Sequence, residues 1–183
     1  VGTHPGQPYP HRRPVRGDGV LRLVERPAGR RGQVGPGEFG PGQLGPVRPP
    51  TGRVLPADHL RKVVEWCRDR GTVLVSDECY IELGWETQPV SVLHPDVCGG
   101  SPDGILAVHS LSKRSNLAGY RCAFVAGDPA LVTELLEVRK NLGLMLPGPQ
   151  QVAMAAALAD DAHVEEQRER YAARRALLRP ALE

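Results

Sequence analysis

The sequence predicts an α/β fold in which helices flank a mostly parallel β-sheet. From Thr51 onward, helical and strand periods alternate along the chain. The strand candidates are short runs of β-branched and aliphatic residues, which is typical of strands covered on both faces. A chain of 183 residues with 40% hydrophobic residues is long enough for one domain with a sizeable core.

Composition and charge exclude several classes of protein. The net charge of +2 is close to neutral, so we expect no nucleic acid and no membrane surface as a partner. There is no apolar run of about 18 residues and no stretch resembling a signal peptide. The cysteines form no C-x-x-C pair and no zinc-ligand spacing with histidine, so we expect free thiols, no metal site and a cytoplasmic location.

The first 48 residues differ in composition from the rest of the chain. Residues 1–50 contain 11 Gly, 10 Pro, 8 Arg and no Lys, and their net charge is +5, against −3 for the remainder. Such a segment has too little apolar surface to offset the entropy of ordering. We expect residues 1–48 to be disordered or translated from another reading frame. A nucleic-acid tail is a weaker alternative, because only Tyr9 and Phe39 could stack on bases.

The elements after this segment follow in a regular order. A helix opened by Pro56 and Asp58 and ended by Gly71 places an apolar stripe on one face, formed by Leu60, Val63, Val64 and Cys67. Three buried strands are predicted at 72–75, 104–108 and 122–126, and helices at 129–141, 149–159 and from 160 toward Glu183. We expect the arginines of the last helix to form a solvated face.

Polar motifs stand at the ends of these strands, where open α/β sheets gather ligand-binding groups. Ser76-Asp77-Glu78-Cys79-Tyr80 follows the first strand, Ser110-Leu111-Ser112-Lys113 follows the second, and Arg121 begins the third. Alone, Asp77 would more often be a helix cap. A lone Ser-x-x-Lys is also weak evidence, since about one is expected by chance in a chain of this length. Ser-x-x-Lys together with Arg121 and the upstream Asp-x-x-Tyr is rarely expected by chance, so the combination is a specific signal.

A Ser-x-x-Lys motif also occurs in penicillin-binding proteins and class A β-lactamases, where it opens a helix. No Lys-Thr-Gly follows here, and a predicted parallel strand precedes Ser110. We therefore set that interpretation aside.

These motifs, together with Pro50-Thr51-Gly52, resemble the fold-type I (class I/II) aminotransferases. Within that family, the likeness is to actinobacterial N-succinyldiaminopimelate aminotransferases of lysine biosynthesis. The resemblance covers about residues 49–183. It implies that residues 49–159 are part of the large domain that binds pyridoxal 5′-phosphate, and that residues 160–183 begin a helix leading to a C-terminal domain.

The resemblance also implies roles for individual residues. Lys113 would bind the cofactor covalently and carry the proton of the reaction. Asp77 would accept a hydrogen bond from the pyridine nitrogen, and Tyr80 would bind the 3′-oxygen. Ser110 and Arg121 would hold the phosphate, with Ser112 as a weaker candidate. The substrates would be an amino acid and a 2-oxo acid, at a site on a homodimer interface.

Other interpretations of single residues remain open. Tyr80 and Ser112 are also compatible with ordinary positions at the edge of the core. His109 is most simply a packed residue, and Trp85 would line a substrate wall or fill the core.

The sequence departs from the family in three places. Pro49 stands where the family has the asparagine of Asn-Pro-Thr-Gly, and proline cannot make that side-chain hydrogen bond. The glycine-rich phosphate loop belongs upstream, where only the Gly/Pro/Arg segment stands, and the arginine for the substrate carboxylate belongs beyond Glu183. We therefore expect an aminotransferase by descent that is inactive as this polypeptide. The alternatives are another fold-type I reaction, a β-lyase or a decarboxylase, and a non-enzymatic fragment or binding module that binds no cofactor.

Overall fold

The structure is a computed structural model, and it describes residues 24–25, 45–48 and 52–182. The segment 1–48, predicted to be disordered or out of frame, lies almost wholly outside the described residues, as do Pro49, Pro50 and Thr51. The strands are β1 (Val24–Glu25), β2 (Val47–Arg48), β3 (Arg53–Val54), β4 (Thr72–Asp77), β5 (Ile105–Ser110) and β6 (Ala123–Gly127). The α-helices are α1 (Ala57–Asp69), α2 (Pro95–Cys98), α3 (Leu111–Arg114), α4 (Pro129–Asn141), α5 (Gly148–Leu158) and α6 (Ala162–Leu182).

The main sheet is mixed. Its order is β1-β4-β5-β6, and β4 and β5 run parallel, whereas β1 and β6 are antiparallel to their neighbours. β2 and β3 form a separate two-stranded ladder. The expected α/β architecture is confirmed, but the direction of β6 was not visible in its sequence, because an apolar run does not encode the direction of its partner.

The predicted apolar stripe of α1 forms the core. All four of its residues are buried, and they pack against Leu74 of β4, Ile105 and Ala107 of β5, and α2. Pro56 precedes the helix, and Gly71 follows it with φ +60°, a conformation that glycine adopts without steric cost. Alternate residues of β4 and β5 therefore face this core, while those between them face the opposite side of the sheet.

The third predicted strand is less buried than expected. Cys122 is fully buried, but Ala123 and Val125 of β6 are exposed, so the prediction of a buried strand over 122–126 is wrong. Among the described residues, β6 pairs only with β5 and lies at the edge of the sheet. Its close approach to β5 requires glycine at 127, because a Cβ there would lie 2.1 Å from the carbonyl oxygen of Ile105.

The helices after the sheet match their predicted positions to within two residues. Asp128 begins α4 by accepting hydrogen bonds from the amides of Ala130, at 2.9 Å, and Leu131, at 3.3 Å. In the described part of the chain, no helix is long and apolar enough to cross a membrane, and no group of three or more potential ligand side chains could hold a metal ion.

Candidate active site

The polar motifs meet at one edge of the sheet because of the strand directions. β4 and β5 are parallel, with Asp77 opposite Val108, so both strands end at this edge. β6 is antiparallel to β5 and starts there, with Ala123 opposite Ser110. The topology therefore gathers the ends of β4 and β5 and the start of β6, as expected for a ligand site of an α/β sheet.

Asp77 is the last residue of β4 and shapes the turn that follows. Its Oδ1 accepts a hydrogen bond from the amide of Cys79 at 3.1 Å. A short 3₁₀-helix, Ile81–Leu83, then begins after Tyr80. Asp77 is thus a turn cap by geometry, and it also stands at the edge where the other site residues gather.

Lys113 lies in α3, directly after β5, and reaches toward the turn after β4. Its Nζ lies 5.6 Å from the centroid of the Tyr80 ring. This distance is within the range of a cation–π contact. The structure therefore brings together two predicted site residues that are 33 positions apart in the sequence.

The pKa of the Cys79 thiol depends on both Asp77 and Lys113. Burial raises the pKa of the Cys79 thiol to about 12, with help from the hydrogen bond to Asp77 and its negative charge, while the positive charge of Lys113 acts in the opposite direction. Asp77 and Lys113 therefore both lie close enough to Cys79 to act on its thiol.

Ser110 and Ser112 form a pair of hydroxyls at the start of α3. Ser110 Oγ accepts from the amide of Ser112 at 3.2 Å and lies 3.0 Å from Ser112 Oγ. Ser110 Oγ also lies 3.5 Å from the carbonyl oxygen of Cys122, which accepts the amide of Leu111 at 3.0 Å. These bonds tie the Ser-x-x-Lys turn to the segment that carries Arg121.

Arg121 is exposed and adopts a left-handed backbone conformation with φ +56°. Its Nη1 donates to the carbonyl of Ala118 at 3.2 Å, within its own turn, and not to either serine. The structure thus places the backbone of Arg121 beside the serines without joining its guanidinium to them.

Sequence reasoning missed one buried acid next to the site. Glu78 is 1% exposed, and its carboxylate lies beside His109. His109 itself is packed, as predicted, with its ring stacked on Phe124 at 4.9 Å between centroids. Strand alternation could have found Glu78, because it continues the core-facing positions Leu74 and Ser76.

The expectation of a solvated arginine face on α6 is wrong for Arg168 and Arg175, whereas Arg170, Arg174 and Arg179 are exposed. Arg168 donates to the carbonyls of Glu82, at 2.9 Å, and Gly84, and its guanidinium lies 5.0 Å from the centroid of the Trp85 ring. Arg175 contacts the same ring, at 5.3 Å, and bonds Glu86. Trp85 is therefore covered by two cations of α6.

Comparison with known proteins gives a consistent result. Residues 47–183 match the family model described as aminotransferase class I and II. The chain is 68% identical over 133 residues to a protein named probable aminotransferase Rv1178 from Mycobacterium tuberculosis, covering 73% of this chain and 32% of that protein. It is 66% identical over 134 residues to 4-dedimethylamino-4-oxo-anhydrotetracycline transaminase OxyQ from Streptomyces rimosus, covering 73% and 37%.

Solved structures show the same relationship. The aminotransferase AspB from Helicobacter pylori superposes with a TM-score of 0.62 at 36% identity, covering 66% of this chain and 33% of that one. A single mutant of Thermus thermophilus aspartate aminotransferase gives 0.64 at 28% identity, covering 74% and 35%. The chain spans about a third of the length of the relatives it matches. It belongs to the class I and II aminotransferases, a family that depends on pyridoxal phosphate.

Proposed function

We propose that this chain is part of a pyridoxal-phosphate-dependent aminotransferase that moves an amino group between an amino acid and a 2-oxo acid. The observation that carries the proposal is the convergence of Lys113 and Tyr80, with Asp77 in the same turn as Tyr80, at the shared end of β4 and β5. Residues 49–159 would form part of the cofactor-binding domain, and residues 160–183 would begin the helix leading out of it.

The chemistry of the side chains fits the cofactor group by group. Pyridoxal phosphate offers an aldehyde for an amine, a protonated ring nitrogen for a carboxylate, a 3′-oxygen for a phenol, and a phosphate for hydroxyls and a guanidinium. Lys113, Asp77 and Tyr80 supply the first three partners. Ser110, Ser112 and Arg121 would supply the phosphate contacts, and Arg121 would have to turn away from the Ala118 carbonyl to do so.

Each residue would then have a defined task. The bound cofactor supplies an electron sink for the negative charge that develops at the substrate α-carbon. Lys113 would hold the cofactor and carry the proton to and from that carbon as a neutral amine. Asp77, whose Oδ1 is already oriented by the Cys79 amide, would keep the ring nitrogen protonated.

For the substrate, we propose N-succinyl-diaminopimelate with 2-oxoglutarate, in lysine biosynthesis. The support is the overall likeness of the motifs. Relatives carry varied names, among them an LL-diaminopimelate aminotransferase from Aquifex aeolicus at 30% identity over 136 residues, covering 73% of this chain and 34% of that protein. A homodimer and a cytoplasmic location are also part of the proposal, and the four free cysteines support the location.

Two alternatives make different predictions. A β-lyase or decarboxylase of the same fold would use Lys113 and Asp77 as well, and would differ in the product formed from an amino acid. A non-enzymatic fragment or binding module would bind no cofactor at Lys113. The first alternative is tested with substrates and the second with the cofactor alone.

The decisive experiment follows the cofactor on Lys113. The chain contains three lysines, Lys62, Lys113 and Lys140, so borohydride reduction followed by peptide mass mapping identifies the labelled lysine. We expect an absorbance band with pyridoxal phosphate and a reduced adduct on Lys113 that is lost in Lys113→Ala. Lys140→Ala is the matched control, because Lys140 is half exposed on α4 and pairs with Glu137 at 2.7 Å. Equal labelling of all three lysines would refute the proposal.

A further inference from the structure

Glu78 and His109 lie opposite each other, one residue beyond Asp77 and Val108, the last residue pair of β4 and β5. The parallel register pairs Ser76 with Ala107 and Asp77 with Val108, and the amide of Glu78 continues the ladder by donating to the carbonyl of Val108 at 2.8 Å. Glu78 Oε2 lies 3.4 Å from His109 Nε2. The two side chains therefore connect neighbouring strands at the edge where the candidate active site lies.

The carboxylate of Glu78 is enclosed, and its two oxygens have different surroundings. The side chain is 0% exposed, and Oε1 accepts hydrogen bonds from Ser76 Oγ at 3.1 Å and from the amide of Val92 at 2.8 Å. Oε2 makes no hydrogen bond among the described residues and faces His109. A buried carboxylate is costly unless its oxygens are paired, and His109 Nε2, 3.4 Å away, is placed to pair with Oε2.

His109 is held in place from its other side. Its opposite neighbour in the antiparallel ladder is Phe124, and the two rings stack with an interplanar angle of 17°. The imidazole is 22% exposed, so it lies at the border of the core. Glu78, His109 and Phe124 thus form a row across β4, β5 and β6.

This row lies directly behind the candidate active site. Side chains alternate between the faces of a strand, so Glu78 and His109 face the core side while their neighbours Asp77 and Ser110 face the other side. Asp77 caps the turn in which Glu78 is the next residue, and Ser110 begins the turn that carries Lys113. Glu78 is bonded directly to Asp77, and His109 to Ser110, so a displacement of Glu78 or His109 would also displace its neighbour in the site.

We propose that Glu78 and His109 are positioning residues that fix the separation between the Asp77 turn and the Ser110–Lys113 turn, and so the spacing between the groups that hold the cofactor ring and its phosphate. This inference rests on the proposed function, because it assigns the pair a task in cofactor binding. Glu78 also anchors the loop at Val92, so the pair links three segments behind the site.

The test uses substitutions that separate the contact from packing. Glu78→Gln keeps an oxygen that accepts from Ser76 and Val92 and removes the charge facing His109. His109→Phe keeps the stack on Phe124 and removes Nε2, whereas His109→Gln keeps a donor near the position of Nε2. His94→Gln is the control, because His94 is exposed and its Nδ1 accepts a hydrogen bond from the amide of Asp96 at the start of α2.

For each 183-residue chain we would measure the dissociation constant of pyridoxal phosphate, the wavelength of its borohydride-sensitive band, and the melting temperature without cofactor. We expect about tenfold weaker binding and a shifted band in Glu78→Gln and His109→Phe, the size typical when an outer partner of a ligand-holding group is lost. His109→Gln should restore most of the affinity, and the double variant Glu78→Gln/His109→Phe should bind no more weakly than the single variants.

The outcomes separate this inference from the proposed function. If the parent chain binds the cofactor and the variants bind it equally well, with only the melting temperature changed, the pair has no positioning role and the proposed function stands. Additive losses in the double variant would also refute a shared role. If the parent chain gives no borohydride-sensitive band, both proposals fail.

Discussion

Lys113 and Tyr80 face each other across the ends of two parallel strands, with the lysine Nζ 5.6 Å from the centroid of the aromatic ring. Lys113 reaches this position from α3, which begins as soon as β5 ends, and Tyr80 from the turn that follows β4. The contact orders a long flexible side chain that would otherwise sample many rotamers. It therefore holds the amine of Lys113 at this edge of the sheet.

The first prediction separates the ring of Tyr80 from its hydroxyl. Tyr80→Phe keeps the ring beside Lys113 but removes the hydroxyl proposed to bind the cofactor 3′-oxygen, so pyridoxal phosphate should bind roughly 3- to 10-fold more weakly, as for one lost hydrogen bond. Tyr80→Leu should bind pyridoxal phosphate more weakly still, because the cation–π contact with Lys113 is lost as well. Absorbance titration measures both, with Tyr120→Phe at an exposed position as the control. Parent-like affinity in Tyr80→Leu would contradict this order.

The second prediction concerns the reactivity of Cys79. Its pKa is raised to about 12 by burial, the hydrogen bond to Asp77 and the charge of Asp77, so the thiol stays protonated below that pH. Asp77→Asn removes the negative charge, which should lower the thiol pKa and increase the thiolate fraction at pH 9. We expect Cys79 to be alkylated several-fold faster by iodoacetamide, measured at each cysteine by mass spectrometry.

A matched control for this experiment is Asp69→Asn. Asp69 is exposed at the end of α1 and is not among the causes of the Cys79 shift. It should leave the alkylation rate of Cys79 unchanged. An unchanged or slower rate in Asp77→Asn would show that the carboxylate does not act on the thiol.

The positions of the core strands and helices could be predicted because their signals are local. The stripe of α1 and the apolar runs of β4 and β5 depend only on residue spacing within each element. The common location of the site motifs was predictable for a related reason. The end of a strand is visible in the sequence, and neighbouring parallel strands end at the same edge of the sheet. The direction and exposure of β6 were not, because they depend on which strand lies beside it.

Contacts between distant segments account for the other differences. Arg168 donates hydrogen bonds to the carbonyls of Glu82 and Gly84, which are far away in the sequence. The charged pattern of α6 alone is the same as that of a solvated helix, so it does not reveal these contacts. Strand alternation places Glu78 on the core-facing side although its residue type is that of a surface position, and its partners Val92 and His109 come from other segments. In both cases the sequence shows the residue type, and the tertiary fold supplies the partner.

A third prediction tests the core beneath the site. Leu74 of β4 is 1% exposed and packs between α1 and β5. Leu74→Ala should lower the free energy of unfolding by about 2–5 kcal/mol, through lost burial and the cavity left behind. Leu177→Ala removes the same atoms from a position that is 80% exposed, and should change it by less than about 0.5 kcal/mol. Urea denaturation followed by circular dichroism measures both, and equal effects would contradict the described core.

The last prediction tests whether α6 is held on the loop after the Asp77 turn. Arg168 donates hydrogen bonds to the carbonyls of Glu82 and Gly84. The amide of Leu83, which lies between them, donates to the backbone carbonyl of Tyr80 at 3.0 Å. Arg168→Ala should loosen this loop, so exchange of the Leu83 amide with deuterium should become at least about threefold faster, as expected for a partly exposed charged contact.

Arg170→Ala is the matched control, because Arg170 bonds Glu166 within the same helix and should leave the Leu83 amide unchanged. Equal exchange in the parent chain and Arg168→Ala would mean that the loop is held without the Arg168 contacts. Faster exchange confined to Arg168→Ala would mean that the contact between Arg168 of α6 and the loop stabilises the turn after Tyr80. Lys113 lines the crevice between α6 and this loop. A displacement of α6 would therefore change the surroundings of the Lys113 side chain in the candidate active site.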